Sequence, residues 1–287
     1  MNKAKNLTAS MILLICSIFA LTSDAQQLKL PAPSPLQTID QSFALSSIKI
    51  EYSRPSAKGR TIYGDLVPYG KIWRTGANAS TKITFGEDVK VEGNPLAAGS
   101  YALYSIPNKD NWEIMFYKDL TLEGDVANYK PEKEALRISV KPTTLANKVE
   151  TFTIIIADMT QNSANLELAW ETTRVALNVT ADIDGKIMKN IETSMSTDSR
   201  PYYQSARYYY ENNKDLAKAL EWTSKAAELN PKAFWITHLK AKIQMKLKDY
   251  KGAIASAEQS LAIAKEQKND DYVVMNEKLI AEARKSK

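Results

Sequence analysis

The sequence predicts an α+β multidomain protein, in which an antiparallel β-sandwich or partly open barrel precedes an all-α region of helical hairpins. Two patterns lead to this prediction. Apolar and polar residues alternate with a period of two up to about residue 180, as they do in half-buried strands. After Asp182 the period becomes helical, and two segments match one another at an offset of 34 residues. The charge also differs between the two regions. Residues 26–198 carry 19 basic and 21 acidic side chains, whereas residues 199–287 carry 17 basic and 11 acidic side chains.

Residues 1–25 predict a secretory signal peptide. Lys3 and Lys5 precede an apolar run from Met11 to Leu21, and small residues follow it. The run is too short to span a bilayer, since a spanning helix needs about 20 apolar residues. We expect cleavage after Ala25, export to the periplasm or the extracellular space, and no transmembrane segment.

The single cysteine and the single histidine limit the chemistry of the chain. Cys16 lies inside the apolar run, where acylation as a lipoprotein is the alternative, but Ile15 stands where a small residue normally precedes such a cysteine. We expect Cys16 to leave with the signal peptide, so that the mature chain forms no disulfide. Ser-His-Asp triads, Cys-His dyads and His- or Cys-ligated metal sites are disfavoured. We therefore expect no catalytic residue, no metal and no cofactor, and the residues favour a non-enzyme over an enzyme without deciding between them.

The β-domain is predicted over residues 41–181, after an extended Pro-rich segment at residues 26–40. Turn residues separate eight or more short strands at intervals of 8–12 residues, with no helical pattern between them. This spacing is typical of an antiparallel sandwich and not of a parallel sheet with crossover helices. The alternating runs include Ile48–Tyr52, Trp112–Phe116, Leu166–Trp170 and Val175–Val179.

The helical region begins with a connecting helix at residues 182–198, in which isoleucines recur every four residues. Residues 199–287 are predicted to form two hairpins and a closing helix. Lys214–Leu220 matches Lys248–Ile254 at the offset of 34, with Lys, Asp and Ala at shared positions. This pattern resembles tetratricopeptide repeats, which consist of helical hairpins.

That resemblance implies a concave groove lined by the first helix of each hairpin. The offset places Arg207 and Ala241 where such repeats carry a small packing residue. His238 falls on the first helix of the second hairpin, and the alternative is a packing histidine that faces the β-domain. The residues predicted to contact a protein or peptide are Tyr208, Trp235, His238, Lys242 and Met245.

Basic and aromatic residues are concentrated between positions 54 and 78 of an otherwise acidic domain. Guanidinium groups flanked by aromatic rings suit the recognition of carboxylates, phosphates or sugar acids. In the alternative, Arg54 and Arg74 pair with carboxylates such as Asp65 or Glu51, and the aromatic rings fill one end of the sandwich. The candidate ligand-binding residues are Arg54, Lys58, Arg60, Tyr63, Tyr69, Trp73, Arg74 and Asn78.

Several short motifs in this stretch resemble a family of secreted bacterial proteins known as domain of unknown function 2911. The motifs are Ser53-Arg-Pro55, Lys58-Gly-Arg60, Pro68-Tyr-Gly-Lys71 and Trp73-Arg-Thr-Gly-Ala-Asn78. The resemblance spans about residues 40–180. It implies export and a β-rich fold, and it implies no activity.

Together these patterns predict an exported, non-catalytic binding or scaffolding protein. The β-domain would recognise an anionic small molecule or glycan, and the helical repeats would dock a protein. We expect no nucleic-acid partner, because the basic residues form no arginine-rich stripe. The alternatives are a carbohydrate-active hydrolase that uses two carboxylates and a purely structural envelope protein.

Overall fold

The computed structural model describes residues 30–196 and 200–286. The predicted signal peptide, its cleavage site, Cys16 and the start of the Pro-rich segment lie outside the described residues. The chain divides into two compact units between Ala181 and Asp182, which we term the β-unit and the helical unit.

The β-unit consists of two antiparallel sheets that do not close into a barrel. The six-stranded sheet has the order β1-β2-β3-β6-β7-β8, and the four-stranded sheet has the order β5-β4-β10-β9. The prediction of an antiparallel β-domain followed by helices is confirmed. The strands are β1 Leu36–Phe43, β2 Ser46–Ser53, β3 Ala77–Phe85, β4 Val89–Val91, β5 Asn94–Leu96, β6 Gly99–Ile106, β7 Trp112–Tyr117, β8 Glu134–Val140, β9 Thr143–Ala157 and β10 Ser163–Thr180.

The two sheets share one core, and period-two alternation directs side chains into it. In β2, Ile48, Ile50 and Tyr52 are buried, with exposed fractions of 1–2%. The Tyr52 hydroxyl accepts from the backbone amide of Ile154 at 2.9 Å and donates to Gln37 at 2.8 Å, which ties β2 to β9 of the other sheet. The buried tyrosine therefore has a partner for its polar end, as buried phenols require.

An aromatic cluster fills one end of this core. Ring centroids within it lie 5.0–6.4 Å apart, mostly in edge-to-face arrangements. Such pairs stabilise a core beyond their area of burial. Its members are Tyr63, Trp73, Trp112, Phe152 and Trp170.

A second aromatic layer covers the outer face of the six-stranded sheet. The segment 118–133 forms three short 3-10 turns and packs Tyr129 against Tyr104 and Tyr117, with centroid distances of 5.2 and 4.5 Å. The Tyr104 hydroxyl donates to the carbonyl oxygen of Glu123 at 2.7 Å. Because this segment covers the sheet, β6 is buried on both faces from Tyr101 to Ser105.

The helical unit contains six helices within its described residues, and from α2 onward each helix packs against the next. None of the described helices has the length and apolar character needed to cross a membrane. The helices are α1 Asp184–Met195, α2 Tyr202–Glu211, α3 Leu216–Leu229, α4 Phe234–Lys246, α5 Tyr250–Glu266 and α6 Asp270–Lys285.

Equivalent residues begin the second helix of each hairpin. Asp215 accepts from the backbone amides of residues 217 and 218 at the start of α3, and Asp249 accepts from the amide of residue 252 at the start of α5. These side chains satisfy amides that have no partner within the helix. Ala219 and Ala253, four residues further on, are fully buried.

The small packing residue of α2 differs from the one that the offset of 34 indicates. Arg207 is exposed and pairs with Glu211, whereas its neighbour Ala206 is fully buried beside Ala219. Ala241 is fully buried in α4. In the structure Ala206, and not Arg207, is therefore the counterpart of Ala241, so the two first helices align with a shift of one residue relative to the offset of 34.

Candidate functional site

The arginines of the 54–60 loop bind backbone carbonyl groups. Arg54 donates from Nε to the carbonyl oxygen of Phe152 at 3.1 Å and from Nη2 to Thr153 Oγ1 at 2.8 Å. Arg60 donates to the carbonyl oxygens of Ala57 at 2.9 Å and Ser56 at 2.7 Å. These bonds fasten the loop to β9 and to itself, and they use two of the five N–H donors of each guanidinium group.

Arg74 and Asn78 form a separate pair beside the segment 118–133. Arg74 donates from Nη1 to the carbonyl oxygen of Asn78 at 2.8 Å, and the Asn78 amide donates to Ser53 Oγ at 3.1 Å. Asn78 has a φ of 60°, in the left-handed region that asparagine tolerates better than most residues. Among the described residues, Arg74 shares no hydrogen-bond partner with Arg54 or Arg60.

Carboxylates do not neutralise these arginines in the described part of the chain. Glu51 pairs with Lys82 at 3.2 Å and Lys49 at 3.4 Å instead. The side chains of Lys58 and Lys71 are exposed and form no ion pair with a described residue. The arginine–carboxylate pairs of the alternative are therefore absent among the described residues, whereas its aromatic part matches Tyr63 and Trp73, which lie in the cluster at one end of the core.

Trp73 belongs to the core. Its ring is 9% exposed and stacks on Trp170 at a centroid distance of 6.0 Å, and its Nε1 donates to the carbonyl oxygen of Gly76 at 3.0 Å. Its faces are covered by other aromatic rings, so no face is open for a ligand.

Tyr63 and Tyr69 are the predicted residues that do meet at a cavity. This end cavity has a volume of about 80 Å³ and lies at the end of the sandwich above the aromatic cluster. Four separate segments form it: the loop around residues 63–69, the β6–β7 loop, the start of β9 and a bulge in β10. Trp112 and Pro142 form its apolar wall. Its polar lining consists of Tyr63, Tyr69, Asn108, Lys109, Thr143, Thr144 and Thr173.

The phenol of Tyr63 is held in its neutral form. Burial raises its pKa far above the ordinary value, and the charge of Glu171 and the nearby Tyr69 raise it further. Glu171 is itself occupied, because it accepts from the backbone amide of Ile62 at 3.0 Å and pairs with Lys148 at 3.1 Å. The Tyr63 hydroxyl makes no hydrogen bond to any other residue that the structure describes, and it is not one of the enclosed polar atoms that lack a partner, so it is open to the cavity.

Three of the predicted groove residues, His238, Lys242 and Met245, line one cavity of the helical unit. This helical groove has a volume of about 290 Å³ and is formed by the first helices of the hairpins, α2 and α4, together with α6. Its other lining residues are Tyr210, Lys246, Met275, Lys278, Leu279 and Glu282.

Tyr208 and Trp235 lie outside the helical groove. The Tyr208 hydroxyl donates to Asp184 of α1 at 2.7 Å, and Lys214 donates to the same carboxylate. Trp235 is 40% exposed and packs edge-on against Phe234 at 5.1 Å. The structure thus keeps three of the five predicted residues together.

Positive charge dominates the helical groove. The ammonium groups of Lys242 and Lys246 lie 5.0 and 4.3 Å from the centre of the Tyr210 ring. Lys242, Lys246 and Lys278 form no ion pair with a described residue, and Glu282 is the one acidic residue of the lining.

His238 lies beneath these lysines and is 7% exposed. Its Nδ1 lies 2.8 Å from Oδ1 of Asn276 in α6. Burial lowers the pKa of His238 below its usual value of 6.5; the hydrogen bond to Asn276 opposes this shift, and the charge of Lys242 adds to it. The histidine is therefore a buried, neutral floor residue and packs between helices of its own unit.

The β-unit matches a known protein family. The model of the family described as protein of unknown function (DUF2911) matches residues 34–179, which are 146 of the 287 residues. The chain belongs to this family. No curated protein matches the chain, and no solved structure does so either.

The DUF2911 match runs from just before β1 to the end of β10, so it covers every residue of the end cavity. The helical groove lies beyond the matched span. Within the described residues, no group of three or more His, Cys, Asp or Glu side chains is arranged to hold a metal ion.

Sequence reasoning missed five polar residues of the DUF2911 end cavity. Asn108 and Lys109 lie in the turn between β6 and β7, and the threonines lie on strands, where threonine is common. Their one local signal is the density of polar groups next to Pro107 and Pro142, where strands end. The missed residues are Asn108, Lys109, Thr143, Thr144 and Thr173.

Proposed function

We propose that this DUF2911 protein is an exported, non-catalytic binding protein whose helical unit docks an acidic segment of a partner protein in the helical groove. The observation that carries the proposal is the set of three lysines, Lys242, Lys246 and Lys278, that line one groove without an ion pair among the described residues. The groove floor offers apolar contacts as well, from Met245, Met275 and Leu279.

The helical hairpins support a tetratricopeptide-like unit as part of this proposal. Asp215 and Asp249 cap equivalent helices at an offset of 34 residues, and Ala219 and Ala253 are buried at equivalent positions. Stacked hairpins of this kind form extended concave surfaces, which such proteins use for binding. The helical groove lies where such a concave surface is expected, because its lining residues belong to α2 and α4, the first helices of the hairpins, and to the closing helix α6.

Charge complementarity selects an acidic partner. Two ammonium groups lie over the single ring of Tyr210, and residues 199–287 carry a net charge of +6 from 17 basic and 11 acidic side chains. A partner carboxylate between these lysines would reduce their mutual repulsion and would gain a charge-assisted hydrogen bond. Leucine or methionine side chains of the partner would contact the methionines of the floor, since methionine adapts to varied apolar surfaces.

Glu51 does not suit the role of general acid in a glycosidase. Glu51 and Glu123 line one cavity of about 240 Å³. A general acid of a glycosidase needs a raised pKa, whereas the hydrogen bond from Lys82 lowers the pKa of Glu51. Glu51 is therefore held as a charged ion-pair partner.

The docking proposal is tested with the full mature chain and a short fluorescent peptide in which Glu and Leu alternate. Binding is measured by fluorescence anisotropy, next to a peptide in which Gln replaces each Glu. We expect binding of the acidic peptide to weaken as salt is added, because salt screens exposed charges. The double variant Lys242→Gln/Lys278→Gln should weaken it about two- to thirtyfold, since two charge pairs are lost and exposed pairs contribute roughly 0.2–1 kcal/mol each.

The matched control is Lys232→Gln/Lys251→Gln, which removes two exposed lysines of the same unit that do not line the groove. Equal weakening by both double variants would show a general effect of net charge and would contradict docking in the groove. Equal binding of the Glu and Gln peptides would contradict an acidic partner.

Export is proposed on the pattern of residues 1–25 alone. Its test is the mass of the protein recovered from a cell fraction outside the inner membrane. A chain that begins at Gln26 is the expected product, and a full-length chain retained in the cytoplasm would contradict export.

A further inference from the structure

We propose that the end cavity of the β-unit binds one oxyanion group, a carboxylate or a phosphate, of a small ligand. This site is separate from the helical groove, so each of the two proposals stands or fails alone. The anion-binding groups proposed here line the end cavity, and they differ from the arginines of the 54–60 loop that the sequence predicts.

Tyr63 presents a hydroxyl donor at the end cavity. The Tyr63 ring is packed edge-on against Trp112, Trp73 and Trp170 at centroid distances of 5.0, 6.2 and 6.3 Å. These contacts fix the ring, and its hydroxyl forms no hydrogen bond with a residue that the structure describes. Tyr63 is half-buried, and its hydroxyl is not one of the enclosed polar atoms that lack a partner, so it is open to the cavity. It can therefore donate to a ligand atom there in place of water.

The lining of the end cavity carries a positive charge. Lys109 is the one charged residue that lines the end cavity, and it has no ion pair with a described residue. No carboxylate lines the cavity. The nearby Glu171 is held by Lys148 and by the backbone amide of Ile62. The cavity thus offers a positive charge and neutral donors, which is the arrangement that favours a negatively charged oxygen.

The size of the end cavity suits a small polar group. A volume of about 80 Å³ holds several waters or one small polar group. Hydroxyl and amide donors from Tyr69, Asn108 and Thr144 surround the same space. Because these residues come from three separate segments, the oxygens of a single carboxylate or phosphate would join the β6–β7 loop, the start of β9 and the 63–69 loop.

The neutral state of Tyr63 keeps it a donor. Burial and the charge of Glu171 raise its pKa above the ordinary value of 10, so the hydroxyl retains its proton at neutral pH. A neutral phenol and an ammonium group together can bind an oxyanion, whereas an ionised phenol would repel it.

The test uses the full mature chain and NMR titration of its tyrosine ring signals with sodium acetate, sodium phosphate and glucose. Ionic strength is held constant with sodium chloride. We expect the signals of Tyr63 and Tyr69 to shift on addition of one or both anions and not on addition of glucose. A response to acetate alone identifies a carboxylate, a response to phosphate alone identifies a phosphate, and a response to both supports the shared chemistry.

The variants Tyr63→Phe and Lys109→Gln should each weaken anion binding about tenfold or more, since each removes a hydrogen bond to a charged group. Lys71→Gln is the matched control, because Lys71 is an exposed lysine of the same unit outside the cavity. Should Tyr63→Phe fail to fold, the exposed Lys109 decides the question. Unchanged binding in Lys109→Gln, an equal response to glucose, or no response to either anion would overturn the proposal.

Discussion

Gly124 lies so close to Asn78 that a Cβ atom at position 124 would stand 2.6 Å from the carbonyl oxygen of Asn78. That carbonyl oxygen also accepts from Arg74, so the glycine permits the segment 118–133 to close over the pair. The outer aromatic layer of Tyr104, Tyr117 and Tyr129 depends on this closure.

Gly124→Ala should therefore destabilise the β-unit by about 1–3 kcal/mol, because the added methyl group forces the segment away from the sheet. The measurement is the free energy of unfolding from urea titration. Gly185→Ala is the control, since a Cβ there meets nothing within 4 Å. A loss for Gly124→Ala no larger than that for Gly185→Ala would contradict the close approach.

Arg54 is expected to act on stability. Arg54→Ala removes the hydrogen bonds to Phe152 and Thr153 and leaves a partly buried carbonyl group without its donor. We expect a loss of about 1–2 kcal/mol in the free energy of unfolding. Lys71→Ala, an exposed change in the same stretch, should have an effect within about 0.5 kcal/mol of zero. Loss of anion binding in Arg54→Ala without loss of stability would restore the guanidinium site that the sequence predicts.

Protonation of His238 should weaken the helical unit. Its pKa in the folded chain lies below 6.5, so the unfolded chain takes up the proton first as the pH falls. The stabilisation is fully present above about pH 6.5 and is lost as the pH falls below that value toward the folded pKa. The thermal midpoint of the helical unit should drop between pH 7.5 and pH 5.5. His238→Gln should flatten this dependence, and an unchanged slope would contradict it, since His238 is the only histidine of the chain.

Asn276 connects three helices through a buried set of hydrogen bonds. Its side chain contacts His238 Nδ1 at 2.8 Å and Ser260 Oγ at 2.9 Å, and Ser260 donates to the carbonyl oxygen of Phe234 at 2.7 Å. Asn276→Ala should cost about 1–3 kcal/mol of unfolding free energy, because buried polar atoms lose their partners. Gln259→Ala, on the exposed face of α5, is the control and should be nearly neutral.

The strands of the core were predictable because burial on one face produces alternation. Ile48, Ile50 and Tyr52 show it in the sequence and point into the core in the structure. The two-sided burial of Tyr101–Ser105 was not predictable, since it depends on the segment 118–133. That segment has no period of its own and is placed by tertiary contacts.

The candidate site was predictable only in part. The residue types between 54 and 78 indicated an anion site, but sequence spacing does not show that Arg54 and Arg60 reach carbonyl oxygens. The end cavity combines Tyr63, Lys109 and Thr144, which are separated by dozens of residues and meet only through sheet pairing. Ala206 taking the place of Arg207 has a similar cause, because helix packing tolerates a shift of one residue that a fixed repeat offset does not include.

The tryptophans give each unit its own optical signature. Trp73, Trp112 and Trp170 lie within one cluster of the β-unit, whereas Trp222 and Trp235 belong to the helical unit. Replacing the latter two by phenylalanine leaves fluorescence that reports on the sandwich alone. The stacked pair Trp73 and Trp170, with an interplanar angle of 21°, brings two indole transition dipoles close enough to couple. Circular dichroism in the aromatic region can therefore follow the melting of one unit while the other is still folded.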